Sequence, residues 1–231
     1  MARANEQFTV QAETTPANAQ QIPTREEFRA ALAQRHGEEN QQLIERACVG
    51  IAGLGGLGSA VALHLARLGV GKLVLADLDT VDLSNLHRQQ YALAHLDMPK
   101  TEAIAQQIHA INPYVELELY HVKLTPENAP AIFKDCAIVC EAFDQPDQKA
   151  MLIETLLTEL PETMLVSGSG MAAIDSANLI QTTHPLARLY LCGDGTTDVA
   201  EAGSLISPRV GVCAGHEASM VLRLILGMSE P

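Results

Sequence analysis

Hydrophobic positions follow two alternating spacings along most of the chain from Cys48 onward. Buried strands are predicted at the apolar runs CVGIAG, KLVLAD, VELELYHVKL, CAIVCEAF and TMLVSGSG. Helices are predicted between them, where apolar residues recur at helical spacing, at SAVALHLARLG, PKTEAIAQQIHAIN, PENAPAIFKD and QPDQKAMLIETLLTEL. This alternation predicts an α/β fold, with a Rossmann-like, doubly wound and mainly parallel sheet.

The N-terminal part of the chain departs from this alternation. Residues 1–23 are rich in Gln, Ala, Thr and Asn and are expected to form a flexible tail. Thr24 followed by Glu27 is a capping-box pattern, and it predicts one or two helices before the first strand. The remaining residues, 24–231, are expected to form a single domain.

The C-terminal part also changes pattern, after Met171. Two strands are predicted at ANLIQTT and RLYLCG with no helix between them. The polar loop GDGTTDVAEAGS follows, and then a final helix from about Ser207 to Leu226. We therefore expect antiparallel strands added to the sheet in the C-terminal half.

The charge balance narrows the range of partners. The chain carries 28 Asp and Glu against 15 Lys and Arg, a net charge of −13. Nucleic acids and anionic membranes attract basic surfaces, so neither is expected as a partner. The N-terminal segment has no apolar core of signal-peptide length, and glycines and charged residues interrupt the apolar region 49–76. We expect a cytoplasmic protein.

The five cysteines contain no C-x-x-C pair; they are Cys48, Cys136, Cys140, Cys192 and Cys213. They are predicted to be reduced thiols, mostly in the core. Cys136 and Cys140 lie four residues apart in a predicted strand, so both are expected to point to the same face of the sheet.

The first predicted strand ends in a glycine motif, GLGGLG. Gly53, Gly55 and Gly58 fit G-x-G-x-x-G, and Gly56 adds a fourth glycine between a predicted strand and a predicted helix. Glycines here let the backbone turn tightly and approach a phosphate at the helix N-terminus. The alternative is a glycine-rich turn without a ligand. The motif alone does not separate a dinucleotide from ATP.

Acidic residues close the second predicted strand. Asp77 follows Gly53 by 24 residues, near the offset at which an acid binds ribose hydroxyls, and Asp79 could share that role. The alternative is that these acids are solvated turn residues.

A group of polar side chains follows, and with it an anomalous lysine. Lys100 comes after Pro99 in the first turn of a predicted helix, where the helix dipole disfavours a cation. Lys100 either extends into solvent or, together with Arg88, neutralises a polyphosphate there, with Asn85 and Gln89 orienting the oxygens. In the second case both cations face ligand, and removing either should leave no hole in the core.

Asp144 ends the fourth predicted strand, in EAFDQPDQK. It is a candidate Mg²⁺ ligand at the carboxyl edge of the sheet, where ligands gather in open α/β folds. The alternative is that it only caps the helix that begins near Pro146.

These motifs resemble those of the ThiF/MoeB/HesA family of adenylyltransferases, which are related to the ubiquitin-activating enzymes. GLGGLG, LADLD…DLSNLHRQ, MPK and AFDQ occur in the family's order and spacing, and the resemblance covers about residues 25–227. It implies adenylation of the C-terminal carboxylate of a ubiquitin-fold sulfur carrier ending in Gly-Gly, with ATP and Mg²⁺, in thiamine or molybdopterin biosynthesis. It also implies these roles: ribose binding at Asp77, phosphate contacts at Asn85, Arg88, Gln89 and Lys100, and magnesium at Asp144.

The chain departs from the family in its cysteines. Family members often hold a structural zinc with two C-x-x-C pairs, and many have a cysteine in the loop corresponding to GDGTTDVAEAGS. This chain has neither feature, so we expect no structural zinc and a reaction that stops at the adenylate. The resemblance also implies a homodimer in which an N-terminal arginine, Arg29 or Arg35, reaches the partner's ATP.

Three other functions remain open. An NAD-dependent oxidoreductase would need a nicotinamide pocket, for which the sequence offers no signal. A tRNA-directed dehydratase or a peptide-activating relative would share the fold, although the net charge argues against tRNA. A catalytically silent nucleotide-binding scaffold is disfavoured because every expected ATP-site side chain is present.

Overall fold

A computed structural model describes residues 22–197 and 203–231. The tail predicted over residues 1–23 therefore lies almost wholly outside the described residues. The fold is a seven-stranded sheet with helices on both faces, in the strand order β3-β2-β1-β4-β5-β7-β6. The predicted Rossmann-like α/β class is confirmed.

The bounds of the elements follow the predicted alternation closely. The strands are β1 (Cys48–Ala52), β2 (Lys72–Asp77), β3 (Glu116–His121), β4 (Ile138–Glu141), β5 (Met164–Gly168), β6 (Gln181–Leu186) and β7 (Leu189–Gly193). The helices are α1 (Arg25–His36), α2 (Glu38–Arg46), α3 (Gly56–Leu68), α4 (Lys100–Ile111), α5 (Ala129–Phe133), α6 (Pro146–Glu159) and α7 (Ser207–Ile225). Among these helices, none is long and apolar enough to cross a membrane.

The predicted start of α1 is confirmed in detail. The Glu27 N–H donates to Thr24 Oγ1 at 3.2 Å, and the Thr24 N–H donates to a Glu27 carboxylate oxygen at 2.8 Å. This reciprocal capping box satisfies two N–H groups that a helix start would otherwise leave without partners.

The C-terminal strands add a single antiparallel pair. β7 runs parallel to β5, and among the strands that the structure describes only the edge strand β6 runs antiparallel, against β7. The predicted strand ANLIQTT begins later than expected, at Gln181, because Ala177–Leu179 forms a 3₁₀ turn, and it extends to Leu186. The final helix matches its predicted bounds to within one residue.

Two apolar layers cover the faces of the sheet. One joins side chains of α3, α4 and α7, such as Leu65, Ile104 and Met220, to the sheet. The other packs Phe133 of α5 and Leu152 of α6 on the opposite face. Fully buried side chains of this kind each stabilise the fold by about 1.5–3 kcal/mol relative to exposure.

The prediction that Cys136 and Cys140 share one face is wrong. Cys140 lies in the layer with α3 and α7, whereas Cys136 lies in the layer with α5 and α6. The two-residue alternation does not extend to Cys136, because the chain turns after α5 and the strand begins only at Ile138.

Candidate nucleotide-binding site

A cleft of about 790 Å³ opens at the carboxyl ends of the parallel strands. Most of the sequence-predicted site residues line it: Gly53, Gly55, Gly56, Asp77, Asp79, Asn85, Arg88, Gln89, Lys100 and Asp144. Open α/β sheets bind ligands at this edge, where strand order reverses between β1 and β4. Gly58, Arg29 and Arg35 do not line the cleft.

The glycine loop connects β1 to α3. Gly53 has a φ of +90°, which L side chains rarely adopt. A Cβ at Gly58 would lie 1.9 Å from the Gly53 carbonyl oxygen, so this glycine permits close packing of α3 on the loop. Gly55 precedes α3 and no side chain caps the helix, which leaves its first N–H groups available to an anion.

Asp77 holds the glycine loop in place. One carboxylate oxygen accepts the Leu54 N–H at 2.6 Å, and the other accepts the Asp79 N–H at 2.7 Å. Burial raises the pKa of Asp77, while Lys100 and the two backbone donors act in the opposite direction. Asp77 therefore shapes the loop as well as lining the cleft.

Lys100 is buried rather than directed into solvent. Its side chain is 5% exposed, and its ammonium lies 2.6 Å from a carboxylate oxygen of Asp79, whose side chain is 65% exposed. The alternative of a lysine extending into water is therefore wrong. Within the described residues, the anion beside this helix start is Asp79.

Polar atoms without partners occur beside this ion pair. Gln89 Nε2 donates to Asn85 Oδ1 at 2.7 Å, and the buried Gln89 Oε1 has no partner among the described residues. The Arg88 Nε is buried and also has no partner within residues 22–197 and 203–231. A buried donor and a buried acceptor without bonds are unusual in native structures and indicate a site that a ligand completes.

Asp144 lies exposed at the cleft edge and does not cap α6. The residue before α6 is Gln145, and no side chain makes the capping hydrogen bond. The alternative that Asp144 serves only as a helix cap is therefore wrong. Its carboxylate is available to a ligand or a cation.

Sequence reasoning missed two further cations at helix starts. Lys149, in the first turn of α6, lines the cleft and is ion-paired with Glu141, which also accepts from Ser167 Oγ at 2.6 Å. Arg209, in the first turn of α7, is ion-paired with Asp194. The signal that pointed to Lys100, a cation where the helix dipole disfavours one, would have found both.

Glu217 of α7 is the most unusual group near the cleft. It is fully buried, and neither carboxylate oxygen has a partner among the residues described. A Cβ on Gly168, which lines the cleft, would lie 2.8 Å from Glu217 Oε1. Burial raises the pKa of Glu217 well above its ordinary value; Lys149 opposes this shift and Glu141 adds to it.

The two candidate arginines lie on α1, away from the cleft. Arg29 is ion-paired with Glu38 at 2.5 Å and with Glu45 at 2.8 Å. Arg35 is exposed and forms no ion pair with any described residue.

The fold and the cleft are those of a Rossmann-like α/β protein with an open site at the carboxyl edge of its sheet, and the comparison with known families identifies the family. The sequence model of the ThiF family matches residues 28–231. The chain belongs to the ThiF family, as its motifs indicate.

Individual relatives extend this finding. The adenylyltransferase and sulfurtransferase UBA4 of Candida glabrata is 32% identical over 199 residues, which are 83% of this chain and 45% of that protein. The sulfur carrier protein adenylyltransferase of Thermus thermophilus is 39% identical over 109 residues, or 47% of this chain and 40% of that protein. The chain thus spans less than half of each of these two curated relatives.

A solved structure shares the fold over a longer span. The tRNA N6-threonylcarbamoyladenosine dehydratase of E. coli, in complex with ATP, has a TM-score of 0.77 and 24% identity. The match covers 86% of this chain and 93% of that chain.

Proposed function

We propose that the protein is an adenylyltransferase that activates a ubiquitin-fold sulfur carrier, in thiamine or molybdopterin biosynthesis. It uses ATP and Mg²⁺ to adenylate the carrier's C-terminal glycine carboxylate and releases pyrophosphate. The observation that carries the proposal is a pair of buried atoms in the cleft, Arg88 Nε and Gln89 Oε1, that have no hydrogen-bond partner in the part of the chain that the structure describes. Leaving such atoms without bonds costs about 1–3 kcal/mol each. A nucleotide supplies phosphate acceptors for Arg88 Nε and ribose hydroxyl donors for Gln89 Oε1. The family resemblance implies a phosphate contact for Gln89, but its free acceptor calls for a donor, so Gln89 is proposed at the sugar instead.

The reaction needs positioning more than acid–base catalysis. A carboxylate oxygen of the carrier bonds to the α-phosphorus while the bond from that phosphorus to the pyrophosphate oxygen breaks. The carboxylate is already ionised at neutral pH, so no general base is required. Arg88 and Lys100 neutralise charge on the phosphates as it shifts towards the leaving group.

The remaining cleft side chains orient the nucleotide. Lysine has three donors, so Lys100 can keep its bond to Asp79 and still donate to a phosphate oxygen. Asp77 and Asp79 accept from the ribose hydroxyls, and Asn85 orients a phosphate oxygen. The open N–H groups after Gly55 face the phosphates.

Magnesium fits the cleft only together with a nucleotide. In the described part of the chain, no three His, Cys, Asp or Glu side chains are grouped to hold a metal by themselves. Mg²⁺ in such sites is commonly held by one or two carboxylates and by substrate phosphates. Asp144 is exposed beside the cleft and would hold the ion, which supplies positive charge to the phosphates when bound.

A second copy of the chain completes the site in this proposal. The family resemblance implies a homodimer with an arginine contributed in trans. Arg29 would have to leave two carboxylates to reach a neighbouring cleft, whereas Arg35 would leave none among the described residues. This difference supports Arg35 as the arginine that reaches the partner's cleft.

The test is ATP–pyrophosphate exchange with defined acceptors. The panel contains ubiquitin-fold carriers of the thiamine and molybdopterin types that end in Gly-Gly, each matched with a version lacking the last glycine. We expect exchange only with an intact carrier. The E. coli dehydratase matches over nearly its whole length, so a tRNA bearing threonylcarbamoyladenosine is a further arm. Exchange driven by that tRNA, or by a short peptide, would replace the carrier proposal. Enhanced NADH fluorescence on mixing would favour an oxidoreductase.

A further inference from the structure

Two thiols meet at the amino edge of the sheet, opposite the cleft. Cys48 is the first residue of β1, and Cys136 lies just before β4. Their Sγ atoms are 3.7 Å apart although 88 residues separate them in the sequence. The length of β1, about 16 Å, separates this pair from the glycine loop.

Backbone hydrogen bonds hold the two cysteines in this relation. β1 and β4 pair with Val49 beside Ile138, which places Cys48 next to the segment that carries Cys136. The Cys136 N–H donates to the Phe133 carbonyl at 2.9 Å, and its carbonyl accepts from Thr163 Oγ1 at 3.0 Å. The approach of the thiols is therefore built into the sheet.

The two thiols differ in the way that an attacking and a resolving cysteine differ. Cys48 is partly exposed and Cys136 is buried. The contact with Cys136 lowers the pKa of Cys48, and Lys72, its neighbour on β2, acts in the same direction; burial, Glu118 and Asp135 oppose them. The contact with Cys48 and burial raise the pKa of Cys136. Lys72 is itself ion-paired with Glu118 and Glu116, so accessibility is the main difference between the thiols, and Cys48 is the one that a small disulfide can reach.

We propose that Cys48 and Cys136 form a redox modification site that closes to a disulfide by exchange with a small-molecule disulfide such as oxidised glutathione. The Cys48 thiolate attacks one glutathione sulfur, forms a mixed disulfide and releases one glutathione. Cys136 then attacks the Cys48 sulfur and displaces the second glutathione. The protein loses two electrons and two protons, and one glutathione disulfide becomes two glutathione thiols.

The disulfide would link the first residue of β1 to the segment that precedes β4, away from the cleft. The cross-link closes a long loop in the unfolded chain and lowers its conformational entropy, which stabilises the folded state relative to the unfolded one. We expect the oxidised protein to melt at least about 4 °C above the reduced protein. This inference does not rest on the proposed adenylation.

The experiment equilibrates the wild-type protein in glutathione buffers of increasing oxidised fraction. Free thiols are then alkylated, and digestion with mass spectrometry maps the disulfides. We expect a Cys48–Cys136 cross-linked peptide pair, two hydrogens lighter than the separate peptides, that dithiothreitol removes. The Cys140→Ala variant is the matched control, since this buried thiol lies in β4 outside the pair, and it should keep the cross-link.

Two variants distinguish the cysteine that attacks glutathione disulfide from the cysteine that then displaces the bound glutathione. Cys136→Ser should accumulate a glutathione adduct on Cys48, and Cys48→Ser should form neither adduct nor cross-link. The proposal is overturned if the wild type stops at the glutathione adduct, if the bond joins other cysteines, or if no thiol reacts in the most oxidising buffer. These three outcomes are read on the wild type, so they stand even if a variant fails to fold.

Discussion

The ammonium of Lys100 lies 2.6 Å from the carboxylate of Asp79, and the backbone N–H of Lys100 donates to the Asp79 carbonyl at 2.9 Å. Two bonds therefore join the start of α4 to the turn after β2. These bonds hold the lysine in the wall of the cleft, with its exposed partner on the solvent side. In the proposed reaction, a cation held in this way would need little reorganisation to contact a phosphate.

The first prediction concerns the two proposed phosphate cations. Arg88→Ala should lower carrier-dependent ATP–pyrophosphate exchange by at least about 100-fold and leave the melting temperature nearly unchanged. Lys100 is buried, so the sequence-based expectation that its removal leaves no hole is wrong. Lys100→Met keeps the apolar stem and removes the charge, and it should lose exchange to a similar extent.

Lys134→Met is the control for this pair, because Lys134 is exposed and lies outside the cleft. It should retain exchange. Exchange within tenfold of wild type in Arg88→Ala or Lys100→Met would refute the phosphate assignment.

The second prediction separates magnesium binding from helix capping. Asp144→Ala should reduce exchange by at least about 100-fold and shift the magnesium requirement upward. Since Asp144 does not cap α6, the melting temperature of the Asp144→Ala variant should stay within about 2 °C of wild type. Glu159→Gln, at the exposed end of the same helix, is the control. Loss of stability in step with loss of exchange would show that Asp144 acts on the fold.

Signals confined to one short segment could be predicted from the sequence. The glycine motif, the capping box and the strand–helix alternation each depend on neighbouring residues. The partner of Lys100 could not be predicted, because the contact with Asp79 depends on the turn that follows β2. Glu217 escaped notice because its burial arises from α7 packing against Gly168, far away in the sequence. Cys136 was misplaced because the turn after α5 breaks the alternation that periodicity assumes.

The third prediction concerns pH and Glu217. The pKa of Glu217 is raised in the folded state, so the folded protein binds this proton more tightly than the unfolded chain does. The resulting stabilisation is fully present below the unfolded pKa of about 4.3. It is lost as the pH rises from there through the folded pKa. Each pKa unit by which the folded and unfolded states differ is worth about 1.4 kcal/mol of stability. Glu217→Gln resembles the protonated acid in shape and does not titrate. It should melt at least about 3 °C above wild type near pH 8 and close to wild type near pH 5.

Thermal melts of both proteins across this range provide the measurement. Taking the difference between them removes the titration of every other group. Glu159→Gln should show no such trend because its carboxylate is exposed. A difference that stays constant with pH would mean that Glu217 does not titrate in this window.

The fourth prediction concerns the buried ion pair of Arg209 and Asp194. Both side chains are 4% exposed, and Asp194 also accepts the N–H groups of Thr196 and Thr197 at the cleft edge. Arg209→Met should cost about 3–5 kcal/mol, because it strands a buried carboxylate. The double variant Arg209→Met/Asp194→Asn should cost clearly less than the sum of the two single changes. Urea unfolding of the wild type, the two single variants and the double variant gives the coupling free energy between the two residues. Additivity of the two single changes within about 0.5 kcal/mol would show that the residues do not interact.

The last prediction is that no cysteine is required for adenylation. Cys140, Cys192 and Cys213 are fully buried, and burial raises the pKa of Cys192 to about 12. Sulfur transfer and zinc binding both use a thiolate, which such thiols do not readily supply at neutral pH. Each single Cys→Ser variant that folds should therefore exchange pyrophosphate within about threefold of wild type. A buried hydroxyl costs about 1–3 kcal/mol of stability, so a Cys→Ala variant replaces any Cys→Ser variant that does not fold. Metal analysis of the purified wild type should find no stoichiometric zinc, and mixing with carrier and ATP should give no thiol-sensitive covalent adduct. Stoichiometric zinc, or an adduct that disappears with one particular cysteine, would mean that the reaction does not stop at the adenylate.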